Sequence, residues 1–530
     1  MELHGQNLIA GQTSPGNGTT FRAFDPAKGS PFAPDFHEAS ENEIAAALQS
    51  AQAAFEHHRT SSPELRARFL GTIAAEIEAL GDALLERCHQ ETALPIARLQ
   101  GERARTCAQL RLFADLVREG SWVDARVDTA LSDRKPLPRP DLRRMLQPLG
   151  VVVVFGASNF PLAFSVAGGD TASAFAAGCS VVVKAHPAHP GTSELVADAI
   201  GRAAHACGLP AGVFSMLHGG PKISIALAKH PATAAISFTG SHVAGRALFD
   251  AAVSRPCPIP VFAEMSSVNP VVLLPGAIAE RPESLAQGLT LSFTLGVGQF
   301  CTKPGLVFLK KKPESEKFLT LLAASVRAAP SGNMLTPGIL RAYETNRKKL
   351  FNLPGVTELG SAGAVLDQTK TEALASIATV SASRFLSLSE LGHEVFGPFT
   401  LVIIADTDKE IIACIRALEG QLTATVHGTP ADLATAQSLI SELEQKAGRV
   451  LINGFPTGVE VAPAMHHGGP YPATTDVRFT SVGTAAILRF ARPVCYQNFP
   501  SALLPLALRN ENPLGILRLI NGHYARDAIA

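Results

Sequence analysis

From Leu149 onward the chain keeps one rhythm: short apolar runs separated by longer stretches with helical spacing. The runs fall at 151–155, 180–184, 213–217, 234–238, 271–274 and 306–309, and the helical stretches at 161–177, 191–207, 223–229, 241–253 and 282–297. A strand without a polar face is buried on both sides, as happens when crossover helices cover both faces of a parallel sheet. After Pro330 the rhythm resumes, with strands expected at 401–404, 423–426 and 450–453 and a helix at 431–445. The segments 41–56 and 63–90 repeat apolar positions every three or four residues and read as an outer helical layer. The expected class is α/β. A chain of 530 residues outgrows a single core, so two or more domains are expected.

Two pieces fit no sheet core: the basic, proline-rich 134–140 and the tail after Val482, where 485–490 alternates like an edge strand. Met145 to Gly169 carries no formal charge and is long enough to span a bilayer. Asn159, Pro161 and several glycines interrupt it, and a buried strand, a loop and a packed helix account for those breaks directly. With 46 Lys+Arg against 46 Asp+Glu, the chain has no positive excess to attract nucleic acid or anionic lipid. A small-molecule ligand is expected instead. The eight cysteines are dispersed without a C-x-x-C pair, which points to reduced thiols rather than a zinc site or a disulfide framework. Residues 1–6 lack the basic flank and apolar core of a secretory signal, so a cytoplasmic location is expected. The pairs His186/His189 and His466/His467 lack the spacing of a helical zinc motif and read as turn and surface residues, so no metal is expected.

Chemistry concentrates in a few strings. Gly298-Gln299-Phe300-Cys301-Thr302-Lys303-Pro304 presents one cysteine after an apolar helical run, on a bend that glycine permits. A thiol of ordinary pKa, ~8.5, is only slightly ionised at neutral pH and needs a base. Glu264 closes the apolar run 258–263 and is the candidate base, with a pKa that burial would raise; taken alone, such a Glu reads as a solvated charge. Asn159 follows the run 151–155 and is either a side-chain donor to an oxyanion, beside the backbone N–H of Cys301, or a cap for a helix that begins at Pro161. Ser237-Phe238-Thr239-Gly240-Ser241 ends a strand and opens a helix, where backbone N–H groups and the Ser241 hydroxyl can meet a phosphate. No G-x-G-x-x-G follows a strand.

Together with Glu394-Val395-Phe396-Gly397-Pro398-Phe399, these strings resemble the aldehyde dehydrogenase family, which also lacks the G-x-G-x-x-G fingerprint. The resemblance runs from Arg98-Leu99-Gln100-Gly101-Glu102-Arg103 to Cys495-Tyr496-Gln497-Asn498. It is strongest to the branch holding 2,5-dioxovalerate (α-ketoglutaric semialdehyde) dehydrogenases and a bacterial NADP-dependent fatty aldehyde dehydrogenase. The strings that carry this begin at Phe164, His186 and His467 and run to Ser173, Ser193 and Thr475. Met265-Ser266-Ser267 and Gly296 depart from the wider family, which has Leu-Gly-Gly and commonly an asparagine at these places.

The resemblance implies two Rossmann-like parallel-sheet domains and a small β oligomerisation segment. Residues 1–130 and 150–262 would bind cofactor, 263–465 would be catalytic, 131–149 and 480–500 would make subunit contacts in a homodimer or homotetramer, and 501–530 would be a tail. It implies that Cys301 attacks an aldehyde, with Glu264 as base and Asn159 as oxyanion donor. Lys184 would contact the adenosine ribose, Gly240 and Ser241 the phosphates, and Glu394 and Phe396 the nicotinamide ribose and its surroundings. Pro187 stands where many NAD-preferring members carry a glutamate; with Lys184 and Lys222 as nearby cations, NADP is the expected cofactor and NAD a possible one. Lys222 reads equally as a solvated helix-start residue.

The implied reaction takes 2,5-dioxopentanoate to 2-oxoglutarate through a cysteine thiohemiacetal and thioester. Its distal carboxylate needs a cation, for which Arg103, Arg105 and Arg111 are the candidates, although such arginines are ordinarily solvated or structural. A long-chain fatty aldehyde is the alternative substrate and would require a wide apolar tunnel. A non-redox cysteine acyltransferase or hydrolase leaves Lys184, Ser241 and Glu394 without a task. A scaffold that has lost turnover conflicts with the intact Cys301, Glu264 and Asn159.

Overall fold

The computed structural model describes residues 3–14, 16 and 18–529; Met1 and Glu2 of the N-terminal reading lie outside them. The valine-rich runs are strands covered on both faces. In Val151–Phe155, Val152 and Val154 join one apolar cluster while Val151, Val153 and Phe155 join another. Successive side chains of a strand point to opposite faces, so an unbroken apolar run supplies two cores at once.

The first sheet has the order Val261–Glu264, Thr233–Thr239, Val151–Phe155, Ser180–Lys184, Phe214–Leu217, Asn7–Ile9, Gln12–Ser14. Its first five strands are parallel. Chain order reverses between Val151–Phe155 and Thr233–Thr239, and such a switch opens a crevice beyond the carboxyl ends of the strands. The second sheet runs Thr357–Ser361, Ser376–Ser381, Phe399–Ala405, Leu306–Lys310, Val271–Leu273, Gln421–His427, Ala447–Ile452, parallel except for its first strand. A third sheet joins Ala491–Gln497, Leu142–Pro148, Arg126–Asp128, Arg518–Ile520 and His523–Ala525. Residues beyond 500 thus supply two of its strands.

Three expectations change. Residues 484–490 form a 3-10 turn, not an edge strand: Ala486, Ile487 and Phe490 are buried together against the first core, a helical spacing that mimicked alternation. The strand follows at Ala491–Gln497 and pairs with Leu142–Pro148. The helix expected over 161–177 begins only at Gly169, because Gly168 lies tight against the Ala163 carbonyl and the preceding turn folds back on itself. The helical layer at 63–90 is two helices, Pro63–Ala79 and Gly81–Thr92. Met145 to Gly169 divides among a strand, a second strand and turns, and among the described residues no helix is long and apolar enough to cross a membrane.

Candidate active site

The expected site residues gather where two sheet edges meet. At the carboxyl ends of the first sheet's strands stand Asn159, Lys184, Gly240 and Glu264. At the amino ends of the second sheet's strands stand Asn269, Cys301, Lys303, Glu394 and Gln421. The chain passes directly from Glu264 to Val271 between the two edges, which is why residues distant in sequence meet there.

Cys301 follows a left-handed bend at Gly296, Val297 and Gly298, with φ of 55°, 58° and 66°. Gly298 is required twice over: its φ disfavours a side chain, and a Cβ there would come within 2.3 Å of the Gly397 carbonyl. The loop is braced from behind. Asn269 Nδ2 donates to the carbonyls of Cys301 and Lys303 at 2.9 Å each, and Gln421 Oε1 accepts the Val268 N–H at 2.7 Å. Lys303 is buried and donates from Nζ to Val395 O at 3.0 Å and Phe399 O at 2.8 Å, tying the nucleophile loop to the Glu394 segment.

The sulfur of half-buried Cys301 lies 3.5 Å from His467 Nε2, and the same nitrogen lies 3.1 Å from Glu264 Oε1. The Ser481 hydroxyl donates to Glu264 Oε2. His467 is held by its backbone: its N–H donates to Thr480 Oγ1 at 2.8 Å, and the Ser481 N–H donates to its carbonyl at 2.8 Å. His467 is therefore not a surface residue; it is 1% exposed. His189 is fully buried too, with Nε2 2.8 Å from the Ala157 carbonyl. The sulfur, the ring nitrogen and a Glu264 oxygen lie within 4.8 Å of one another, a spacing that a divalent ion such as zinc also accepts.

Charge is distributed unequally in this triangle. Burial pushes Glu264 up, but His467, Ser481 and Cys301 together outweigh it and hold the carboxyl below its ordinary value. This reverses the sequence expectation, because burial with partners favours the anion that burial alone would disfavour. Burial pushes the Cys301 thiol well above its ordinary value, the Glu264 carboxylate adds to this, and Arg105 opposes it. The resting pair is a protonated thiol beside an ionised carboxylate. A cavity of about 20 Å3 lined by Glu264, His467 and Ser481 has room for one water.

Asn159 is 8% exposed, and its Nδ2 donates to the Gln299 carbonyl at 2.9 Å, which leaves one amide N–H uncommitted two residues from Cys301. Among the cofactor candidates, Lys184 Nζ donates to Gly219 O at 3.0 Å, and burial lowers its pKa to about 8. The Glu38 carboxylate opposes that shift and lies beside Gly220, so the ribose region carries an acid absent from the sequence reading. Lys222 is exposed at the start of helix Pro221–Lys229, and Pro187 is exposed. Ser241 caps helix His242–Val253 by accepting the Ala244 N–H at 3.3 Å, with Gly240 and Ser241 open to solvent. Half-buried Glu394 is pushed up to about 7 by burial, with Lys303 opposing, and Phe396 is half-buried beside it. Exposed helix-start N–H groups, a lysine at a strand end and a carboxylate across the cleft fit a dinucleotide.

Of the substrate arginines, Arg111 is exposed and paired with Glu78 at 2.6 Å, and Arg103 donates to the Gly81 carbonyl at 2.7 Å. Only Arg105 lines the large cavity, of about 610 Å3, beside Phe160, Phe300 and Arg98. Arg98 escaped the sequence reading, although Arg98, Glu102 and Arg105 are spaced i, i+4, i+7 on helix Ile96–Glu119 and so share a face. His467, Ser481 and Lys303 carried no comparable local signal.

The model of the aldehyde dehydrogenase family matches residues 13–471. Alpha-ketoglutaric semialdehyde dehydrogenase 2 of Azospirillum brasilense is 54% identical over 524 residues, which cover 98% of this chain and 99% of that one. Alpha-ketoglutaric semialdehyde dehydrogenase of Acinetobacter baylyi is 48% identical over 522 residues, with the same coverage of 98% and 99%. Among solved structures, aldehyde dehydrogenase C of Pseudomonas syringae, complexed with NAD+ and octanal, has a TM-score of 0.79 at 22% identity and covers 94% of this chain and 98% of that one. The likeness runs through both large sheets and through the strings around Glu264 and Cys301, and the chain belongs to the aldehyde dehydrogenase family.

Proposed function

We propose that the protein oxidises 2,5-dioxopentanoate to 2-oxoglutarate, with NADP as the preferred cofactor. The observation that carries the chemistry is the Cys301–His467–Glu264 triangle, in which an ionised carboxylate and an imidazole stand ready to take the thiol proton. As Cys301 Sγ bonds to the aldehyde carbon, its proton passes to the His467–Glu264 pair. The new oxyanion is met by the free Asn159 amide N–H and the backbone N–H of Cys301. Nicotinamide, when bound, supplies the hydride acceptor that turns the thiohemiacetal into a thioester. Once the first proton has passed from the pair to solvent, Glu264 accepts a proton from the water that attacks the thioester and returns it to the departing Cys301 thiolate, and the product acid loses its own proton to leave as the carboxylate.

The substrate reading is supported by the two semialdehyde relatives. The NADP reading is supported by the missing carboxylate at Pro187 and the cations Lys184 and Lys222, with Glu38 as the group that works against a 2′-phosphate. The first sheet would hold the cofactor and the second the nucleophile. The third sheet would make the contact of a dimer or tetramer, a role that suits Tyr524 of its edge strand, which is 68% exposed. The eight free thiols suit the cytoplasm. A fatty aldehyde is the second reading, favoured by the apolar Leu94, Leu295 and Val297 of the cavity wall.

Initial rates of reduced-cofactor formation at 340 nm decide among these. The expected order of kcat/KM is 2,5-dioxopentanoate, then succinic semialdehyde, then decanal, each higher with NADP than with NAD. Decanal in first place would overturn the substrate reading, and NAD in front would overturn the cofactor reading.

A further inference from the structure

A half-buried guanidinium ordinarily finds acceptors, because leaving one unpaired in a low-dielectric place is costly. Arg105 has found none. Among the described residues it makes no hydrogen bond or ion pair, and its Nε and Nη2 are shielded from solvent without a partner. Its packing is apolar, with the guanidinium 5.5 Å from the centre of the Phe164 ring. Burial lowers its pKa, and the groups that face it electrostatically are Glu102, Cys301, Glu264 and Glu460. None of the three carboxylates approaches to contact. Glu102, the acid of the cavity wall, spends Oε1 on the N–H groups of Leu162 and Ala163 at 2.9 and 3.0 Å.

Arg98 lines the same cavity and is fixed in place. Its guanidinium lies 5.2 Å from the Phe160 ring centre and 4.9 Å from that of Phe300, and Nη2 donates to the Asn159 carbonyl at 2.7 Å. Its Nη1 has no partner. The room around it depends on one residue: a Cβ at Gly296 would lie 2.7 Å from that Nη1. Gly296 is thus the residue that lets Arg98 turn toward the cavity, and it precedes Cys301 on the same bend.

We infer that Arg105, supported by Arg98, receives the distal carboxylate of an oxo-acid semialdehyde, and that Gly296 preserves the space this receptor needs. The inference rests on the semialdehyde reading and deepens it. A carboxylate offers a planar pair of acceptors that matches a guanidinium fork, and it would satisfy N–H groups that the fold leaves bare. With the carboxylate held in the cavity and Phe300 adjoining Cys301, the aldehyde end faces the nucleophile.

The test compares Arg105→Met, Arg98→Met and Gly296→Ala with the unmodified enzyme, each assayed with 2,5-dioxopentanoate and with pentanal, an uncharged aldehyde of equal length. Arg105→Met is expected to lower kcat/KM for the semialdehyde on the order of 100-fold, mainly through KM, and to change that for pentanal less than about threefold. Arg98→Met and Gly296→Ala also touch the Asn159 carbonyl and the bend before Cys301, so both aldehydes should suffer, the semialdehyde on the order of 10-fold more than pentanal. Calorimetric binding of glutarate, which needs no turnover, should weaken in parallel. Equal losses on both aldehydes would overturn the inference, because Arg105 would then act on the Cys301 thiolate. No loss on either, or unchanged glutarate binding, would also overturn it. If the unmodified enzyme oxidises pentanal and ignores the semialdehyde, the substrate reading itself fails, which is a distinct result.

Discussion

At Glu264 the carboxylate has polar neighbours on both sides: Oε1 lies 3.1 Å from His467 Nε2 without a hydrogen bond, and Oε2 takes the Ser481 hydroxyl. In the adjoining cavity Arg105 has no polar partner at all. Both groups are charged and withdrawn from water, yet the fold gives one a hydrogen bond and a nearby imidazole and leaves the other with neither. Polar neighbours from the fold hold a carboxylate in place before any substrate arrives. A guanidinium without them keeps a desolvated donor whose partner must come from outside, so its cost is offset only when that partner binds. The difference separates groups that do chemistry from groups that choose what the chemistry is done to.

Three variants or conditions beyond the arginine series would break or sharpen this contrast. The largest effect is expected from His467→Asn, which keeps a polar side chain but removes the proton carrier: kcat should fall ~10²–10³-fold. Glu264 would also lose the partners that oppose burial, so its pKa should rise and the acidic limb of the pH–rate profile should move to higher pH. A profile whose acidic limb stays in place would show that His467 does not govern Glu264.

A smaller effect is expected at Lys303, whose Nζ is paired and holds the Glu394 segment proposed for the cofactor. Lys303→Met leaves the Val395 and Phe399 carbonyls without their donor, at a cost of about 1–3 kcal/mol. The cofactor KM should rise ~10-fold while kcat at saturation changes less than about threefold. An equal fall in kcat would mean that Lys303 supports the nucleophile instead.

The smallest effect concerns buried neutral histidines. Burial lowers His58 and His218 to about 3 and His427 to about 4, and both ring nitrogens of His218 and His427 lack partners. The folded pKa lies below the unfolded value, so these groups stay neutral when folded. Their contribution is complete above the unfolded value of ~6.5 and is lost as pH falls toward the folded values. Thermal unfolding should show a Tm lower by about 5 °C at pH 5 than at pH 7.5. A flat Tm across that interval would place the acid-sensitive groups elsewhere.

Much of this was legible before any coordinates. The β–α rhythm marked both large sheets, because a strand buried on two faces is apolar at most positions, with polar residues such as Ser215 or Thr423 the exception. Glu264 was legible because it closes an apolar run with a residue type that such runs seldom tolerate, and Cys301 because it follows a glycine-permitted bend in a string that resembles the family. His467 was not, since its burial comes from the segment after Ile452 folding back to bridge Glu264 with Thr474 and Met265 with Ala473. The sign of the Glu264 shift was misread for the same reason: burial was foreseeable, but the partners that outweigh it come from residues 467 and 481. Residues 484–490 misled because buried positions at i, i+1 and i+4 look alternating in a short window.

By itself, the order of residues determined the α/β class, the candidate nucleophile, its candidate base and the strand-to-helix turn at Gly240, since these depend on local periodicity and on residue types with narrow chemistry. Tertiary structure alone decided that His467 joins Cys301 to Glu264, that Lys303 ties two loops together, and that of the candidate arginines only Arg105 faces the cavity. Proton affinity and pairing depend on what lies within a few ångströms in space, and at this site those neighbours come from segments more than a hundred residues apart.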